Sequence, residues 1–126
     1  MMSDTFDILD AKIINFGVDY TLVSAEGVPK TEVLSECNRR LQELFSISAE
    51  IGEAFLLNDV YKALNDMESV VDVTSVRVRS LSGGVYSSVS INIDDNLSLD
   101  GRTILIPSDH IYEIKFPNTD IRGTVL

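Results

Sequence analysis

Between Lys12 and Ser24 apolar and polar residues alternate: Ile14, Phe16, Val18, Tyr20 and Leu22 take every second position, and Asn15, Gly17, Asp19 and Thr21 fill the gaps. Period two is the repeat of a β-strand, whose successive side chains point to opposite faces. One face of this long strand therefore belongs in a core and the other in water. The domain must be built around it.

Residues 25–68 supply the cover. Pro29 stands where a helix can begin, because its missing N–H would lack a partner there in any case. From Thr31 onward Val33, Leu34, Cys37, Leu41, Leu44 and Phe45 recur at three- and four-residue spacing, with Glu32, Glu36, Asn38, Arg39, Arg40 and Glu43 between them, which predicts an amphipathic helix. Ile47–Leu57 reads as a connector around Gly52. Asn58 then has the character of an N-cap, and Leu57, Val60, Tyr61, Leu64 and Met67 form the stripe of a shorter second helix ending near Asp66–Glu68.

Two strands are expected next. Val70–Ser80 is rich in Val, Ser82-Gly83-Gly84 suits a tight turn, and Val85, Val89, Ile91 and Ile93 alternate with Tyr86, Ser88, Ser90 and Asn92, the pattern of a hairpin. Thr103–Ile106, stopped by Pro107, and Ile111–Phe116 read as short extended pieces before a polar end. Residues 1–10 read as a loose lead-in and 11–126 as one domain. The predicted class is α+β: a three- or four-stranded, mostly antiparallel sheet with two helices on one face, in the order β-α-α-β-β.

Composition narrows the function classes. The chain has 126 residues, 44% of them hydrophobic, which marks a folded globular domain. Against 10 Lys and Arg stand 20 Asp and Glu, a net charge of −10 that opposes nucleic acid and anionic membranes alike. The N-terminus carries no signal-peptide pattern, and no run is long enough for a membrane helix.

Little in the sequence points to catalysis. His110, the single histidine, follows Ser108 and Asp109, so a triad exists in name; neighbours in an extended loop are expected to diverge, and a solvated loop histidine is the plainer reading. The lone Cys37 lies on a helix stripe and reads as core filler. One Cys and one His make a poor zinc set. Asp94, Asn96 and Ser98 sit at alternate positions like calcium ligands, yet Leu99 stands where an EF-hand needs Gly and Leu105 where it needs Glu. Gly83-Gly84 has no phosphate-loop partner residues. No cofactor and no metal are expected, and an enzyme is not.

One stretch does suggest an activity. From Ser80 to Ile93 there is no charged residue, in a chain that is 24% charged. Edge strands are ordinarily guarded by Lys, Glu or Pro. An unguarded strand is either central in the sheet or an edge completed by another subunit. Val85, Tyr86, Ser88, Ser90 and Asn92 are therefore the candidate interface residues.

A cadence runs through Ile51-Gly52-Glu53, Asn58-Asp59-Val60-Tyr61-Lys62-Ala63-Leu64 and Val70-Val71-Asp72-Val73. With Asp7-Ile8-Leu9-Asp10, Ile13–Val18, Ile111-Tyr112-Glu113-Ile114 and Asp120-Ile121-Arg122-Gly123, it resembles the C-terminal region of contractile-tail phage baseplate wedge proteins of the baseplate J-like family. The chain departs from that pattern at Ser69, where the family often carries Gly, and full family members are much longer. The resemblance implies a non-enzymatic virion part that associates with copies of itself and with other baseplate proteins. A cytoplasmic small-ligand or regulatory module of ferredoxin-like type is the other expectation, since such domains also lay two helices on a sheet. The two differ in what they should display: a pocket of converging polar groups for the module, an apolar patch or open sheet edge for the assembly domain.

Overall fold

The computed structural model describes residues 12–47 and 49–126. The lead-in expected at 1–10, including Asp7-Ile8-Leu9-Asp10, lies outside the described residues.

The long alternating strand is β1, Lys12–Ser24, and it is the centre of a four-stranded sheet. Its even positions behave as the period requires: Ile14, Phe16, Val18 and Leu22 are fully buried and Tyr20 is 1% exposed. Helix α1, Lys30–Leu44, comes next, with Pro29 at its N-cap and Val33, Cys37 and Leu41 turned into the same core. Strand β2, Phe55–Leu56, runs directly into helix α2, Leu57–Asn65, which buries Leu57, Val60, Ala63 and Leu64. The stretch expected to be only a connector thus contains a short strand. Nor is Asn58 a cap: it lies inside α2, and the orphan N–H of Leu57 is satisfied by the carbonyl of Arg102 at 2.9 Å. Both helices share one core with the inward face of β1.

Strand β3, Val70–Leu81, pairs antiparallel with β1, from Asn15 opposite Leu81 to Ser24 opposite Val70. Its buried valines, Val70, Val73 and Val76, are three residues apart rather than two. Two bulges account for this: the register slips between Thr21 and Leu22 and again between Val23 and Ser24, and each slip puts one extra β3 residue into the ladder.

The remaining strands differ from the expectation. β4, Thr103–Ile104, pairs antiparallel with β2 in a separate two-stranded ribbon. β5, His110–Glu113, and β6, Ile121–Val125, both lie along the other edge of β1, and both run parallel to it. The sheet is therefore mixed rather than mostly antiparallel. The polar end expected after Pro117 is a short helix, α3 (Pro117–Asp120), followed by β6. Between β5 and β6 the chain swings away from β1 at Ile114–Asp120 and returns.

The expected second arm of the hairpin, Val85–Ile93, is not a strand. Ser82-Gly83-Gly84 does turn the chain, with Gly83 at φ 80° and Gly84 at φ 58°, and the N–H of Gly83 bonds the carbonyl of Ser87 at 3.0 Å. Beyond the turn the backbone donors find side-chain acceptors instead of a ladder. The Ser87 N–H donates to Asn15 Oδ1 (2.7 Å), Val89 N–H to Ser87 Oγ (3.1 Å) and Ile91 N–H to Ser80 Oγ (3.2 Å). Ser and Asn compete with sheet ladders in this way. The alternation still sets the facing: Val89, Ile91 and Ile93 pack on the core, while Ser88, Ser90 and Asn92 are exposed. The segment is a strap.

Candidate interaction surface

The strap is fastened to the outward face of the sheet. Asn15, an odd position expected to face water, is 1% exposed because the strap covers it. Its amide oxygen accepts from Ser87 N–H, and its Nδ2 donates to Glu113 Oε1 at 3.1 Å. Tyr86 turns inward: its hydroxyl donates to Asp120 Oδ1 at 2.8 Å, and its ring meets Phe116 edge-on, centroids 5.8 Å apart. That hydrogen bond to the carboxylate raises the Tyr86 pKa. Lys115 Nζ donates to the carbonyl of Val85. Of the candidate interface residues, Val85, Ser88, Ser90 and Asn92 present exposed side chains, while Tyr86 is half-buried and tied to Asp120.

Beside this strap a cleft of about 420 Å³ is lined by Lys12, Asn15, Tyr86, Ser87, Glu113 and Lys115, with Ile13 and Val89. A second cleft, of about 280 Å³, is lined by Ile13, Phe45, Ile47, Ile111, Tyr112 and Ile114 together with Ala49 and Glu113. Its lining is mainly aliphatic, and two of its residues are large exposed hydrophobics, Ile13 at 42% and Ile47 at 83%. Its two lining aromatics rest on buried rings. Phe45 stacks on Phe55 (centroids 5.6 Å), and Tyr112 stacks on Phe16 (5.7 Å) and meets Phe55 edge-on (5.2 Å). Burial, with Glu53 beside it, pushes the Tyr112 hydroxyl up to about 12.

This apolar cleft is not among the residues singled out from sequence, yet a signal for it exists. Ile13 breaks the phase of β1, being apolar on the odd face, and Ile47 lies beyond the last turn of α1 with no helical stripe to bury it.

The pair Asp109–His110 also departs from expectation. His110 opens β5 rather than lying in a solvated loop, its side chain is 14% exposed, and its Nδ1 is 2.6 Å from Asp109 Oδ1. The two side chains meet instead of diverging, and Asp109 is also 3.8 Å from Lys12 Nζ. His110 lowers the Asp109 pKa. Among the described residues the side-chain partner of His110 is Asp109, and no hydroxyl or thiol is hydrogen-bonded to the ring. Cys37 is fully buried, its Sγ contacts Met67 Sδ at 3.8 Å, and burial pushes the thiol up to about 11. Among the described residues no group of three or more His, Cys, Asp or Glu side chains is placed to hold a metal ion. Asp94–Asn96 forms a single 3-10 turn in which Asn92 Oδ1 accepts from Asp95 N–H.

No protein-family model matches the chain, and no curated protein matches it.

Proposed function

We propose that this chain is a non-enzymatic structural domain that works through protein–protein contacts in the baseplate of a contractile-tail phage, alongside copies of itself and other baseplate proteins in the virion. The observation that carries the reading is the apolar cleft between the end of α1 and β5, flanked by Ile13 and Ile47. An isoleucine left 83% exposed forgoes roughly 1.5–3 kcal/mol of burial, which association can recover. The spacing pattern that resembles the baseplate J-like family adds to it. The outward residues of the strap, Val85, Ser88, Ser90 and Asn92, are an exposed, more polar face open to other baseplate proteins rather than to self-association.

The test is the solution mass by light scattering across a concentration series. Masses above the 13.9 kDa monomer that rise with concentration support the reading; a strict monomer at every concentration removes self-association from it.

A second reading is favoured by the cleft of about 420 Å³, which Asn15, Glu113, Lys12 and Lys115 help to line. Such a set would take a small zwitterionic ligand. A panel of free amino acids screened by thermal shift, with Lys115→Ala as control, tests it; no Lys115-dependent rise in Tm sinks it.

A further inference from the structure

The helices cover one face of the sheet, and on the other face three strands bring charges into one row. Arg77 on β3 and Arg122 on β6 are both in register with Asp19 on β1, so the row reads Arg77, Asp19, Arg122 across the sheet. Such cross-strand neighbours would ordinarily pair. Here the central carboxylate is already engaged: Arg79 Nε lies 2.8 Å from Asp19 Oδ2 and Arg79 Nη2 3.2 Å from Oδ1, a bidentate clasp on both oxygens. Gly17 makes the clasp possible, since a Cβ there would lie 2.7 Å from Arg79 Nη2.

Consequently two guanidiniums are left over. Among the described residues neither Arg77 nor Arg122 has a carboxylate oxygen within 4.0 Å, and both are exposed. Arg122 spends its Nε on the carbonyl of Thr119 at 3.2 Å, which fixes the side chain and leaves its outer N–H groups free. In a chain of net charge −10, two arginines on one face with no ion-pair partner among the described residues stand out against the overall sign.

We propose that this row docks a carboxylate-bearing segment of a partner protein. The proposal rests on the assembly reading above and gives it a second, electrostatic surface. Charge complementarity selects the occupant. The two strands that carry the arginines are two sheet spacings apart, about 9.5 Å, which suits two carboxylates, one per guanidinium, better than one small anion. A phosphate polymer gains affinity through many Lys and Arg contacts and meets the repulsion of the whole chain, whereas a short acidic segment needs only two.

The experiment is an NMR titration of the ¹⁵N-labelled full chain with a short oligoglutamate peptide at low ionic strength, with inorganic tripolyphosphate in parallel. Saturable shifts at Asp19, Arg77, Arg79 and Arg122 are expected, weakened at least about threefold in Arg77→Gln/Arg122→Gln and lost near 0.5 M salt. Arg39→Gln/Arg40→Gln, on the exposed side of α1, should bind as the parent does. Shifts spread over every basic residue, or a double variant that binds unchanged, overturn the proposal, and so does tighter binding of tripolyphosphate at the same row. Self-association is read separately by light scattering. A monomer whose row still takes the peptide would keep this surface and discard the self-assembly reading.

Discussion

Gly123 is the position where a single methyl group should do most damage. It lies on β6 directly opposite Tyr20 of β1, and the tyrosine ring is laid across it. A Cβ at residue 123 would lie 2.1 Å from Tyr20 Cζ and 2.4 Å from its hydroxyl oxygen. Carbon atoms rest at about 3.5 Å or more, so the ring has to withdraw by more than about 1 Å. It has nowhere to go. Tyr20 is 1% exposed, and its hydroxyl donates to half-buried Asn38 Oδ1 on α1 at 2.6 Å, so moving the ring breaks that hydrogen bond as well. Overpacking costs about 1–3 kcal/mol and an orphaned buried polar group about 1–3 kcal/mol. Gly123→Ala should therefore destabilise by roughly 2–6 kcal/mol, a fall in Tm of roughly 8–23 °C for a domain of this size. Thermal unfolding followed by circular dichroism measures it. Tyr20→Leu in the same background should recover part of the loss, because the clash disappears with the ring. A Gly123→Ala variant melting within about 3 °C of the parent would refute the placement of β6 against β1, and with it the parallel half of the sheet.

Other consequences concern the strap, the thiol and acid. Tyr86→Phe removes the donor to the buried Asp120, whose other oxygen already lacks a partner, and should lower the urea midpoint while speeding proteolysis between residues 82 and 93; an unchanged midpoint and cleavage rate would show that the strap is not held there. Cys37, with its thiol pushed up to about 11 in a dry site, should resist Ellman's reagent in the native state at pH 8 and react on unfolding; rapid native labelling would contradict its burial. The Asp109 carboxyl, lowered by His110, lends stability that is fully present above its unfolded pKa and is lost as pH falls through the folded value. Asp109→Asn should thus destabilise at neutral pH and lose its effect in strong acid, as pH-dependent urea unfolding will register.

Legibility from sequence followed the strength of the local signal. β1 and α1 were readable because each carries a strong period: the even positions of β1 and Val33, Cys37 and Leu41 of α1 are buried as it requires, while Asn15 and Gly17 on the odd face are buried as well and Leu44 is exposed. β3 was readable as a strand but not in its facing, because two bulges turn a period of two into buried valines at 70, 73 and 76. In the strap the alternation predicted which side chains turn inward, since Val89, Ile91 and Ile93 do. It could not predict pairing, because whether a backbone N–H meets a strand or a serine hydroxyl is settled by what tertiary structure brings near. β6 was missed for a different reason: Ile121–Val125 has no alternation strong enough to stand alone, and it is held by the register of β1. The apolar cleft joins Ile13, Ile47 and Ile111, residues far apart in sequence that only the fold brings together.

On the proposed function, association runs through the apolar cleft. The most direct test compares the solution masses of the parent, Ile47→Asp and Ser88→Lys by light scattering over one concentration series, since both substituted side chains are exposed and leave the core untouched. If the cleft is the contact, the parent and Ser88→Lys associate alike while Ile47→Asp stays at 13.9 kDa. Association that survives Ile47→Asp and is abolished by Ser88→Lys would contradict the claim and move the contact to the strap.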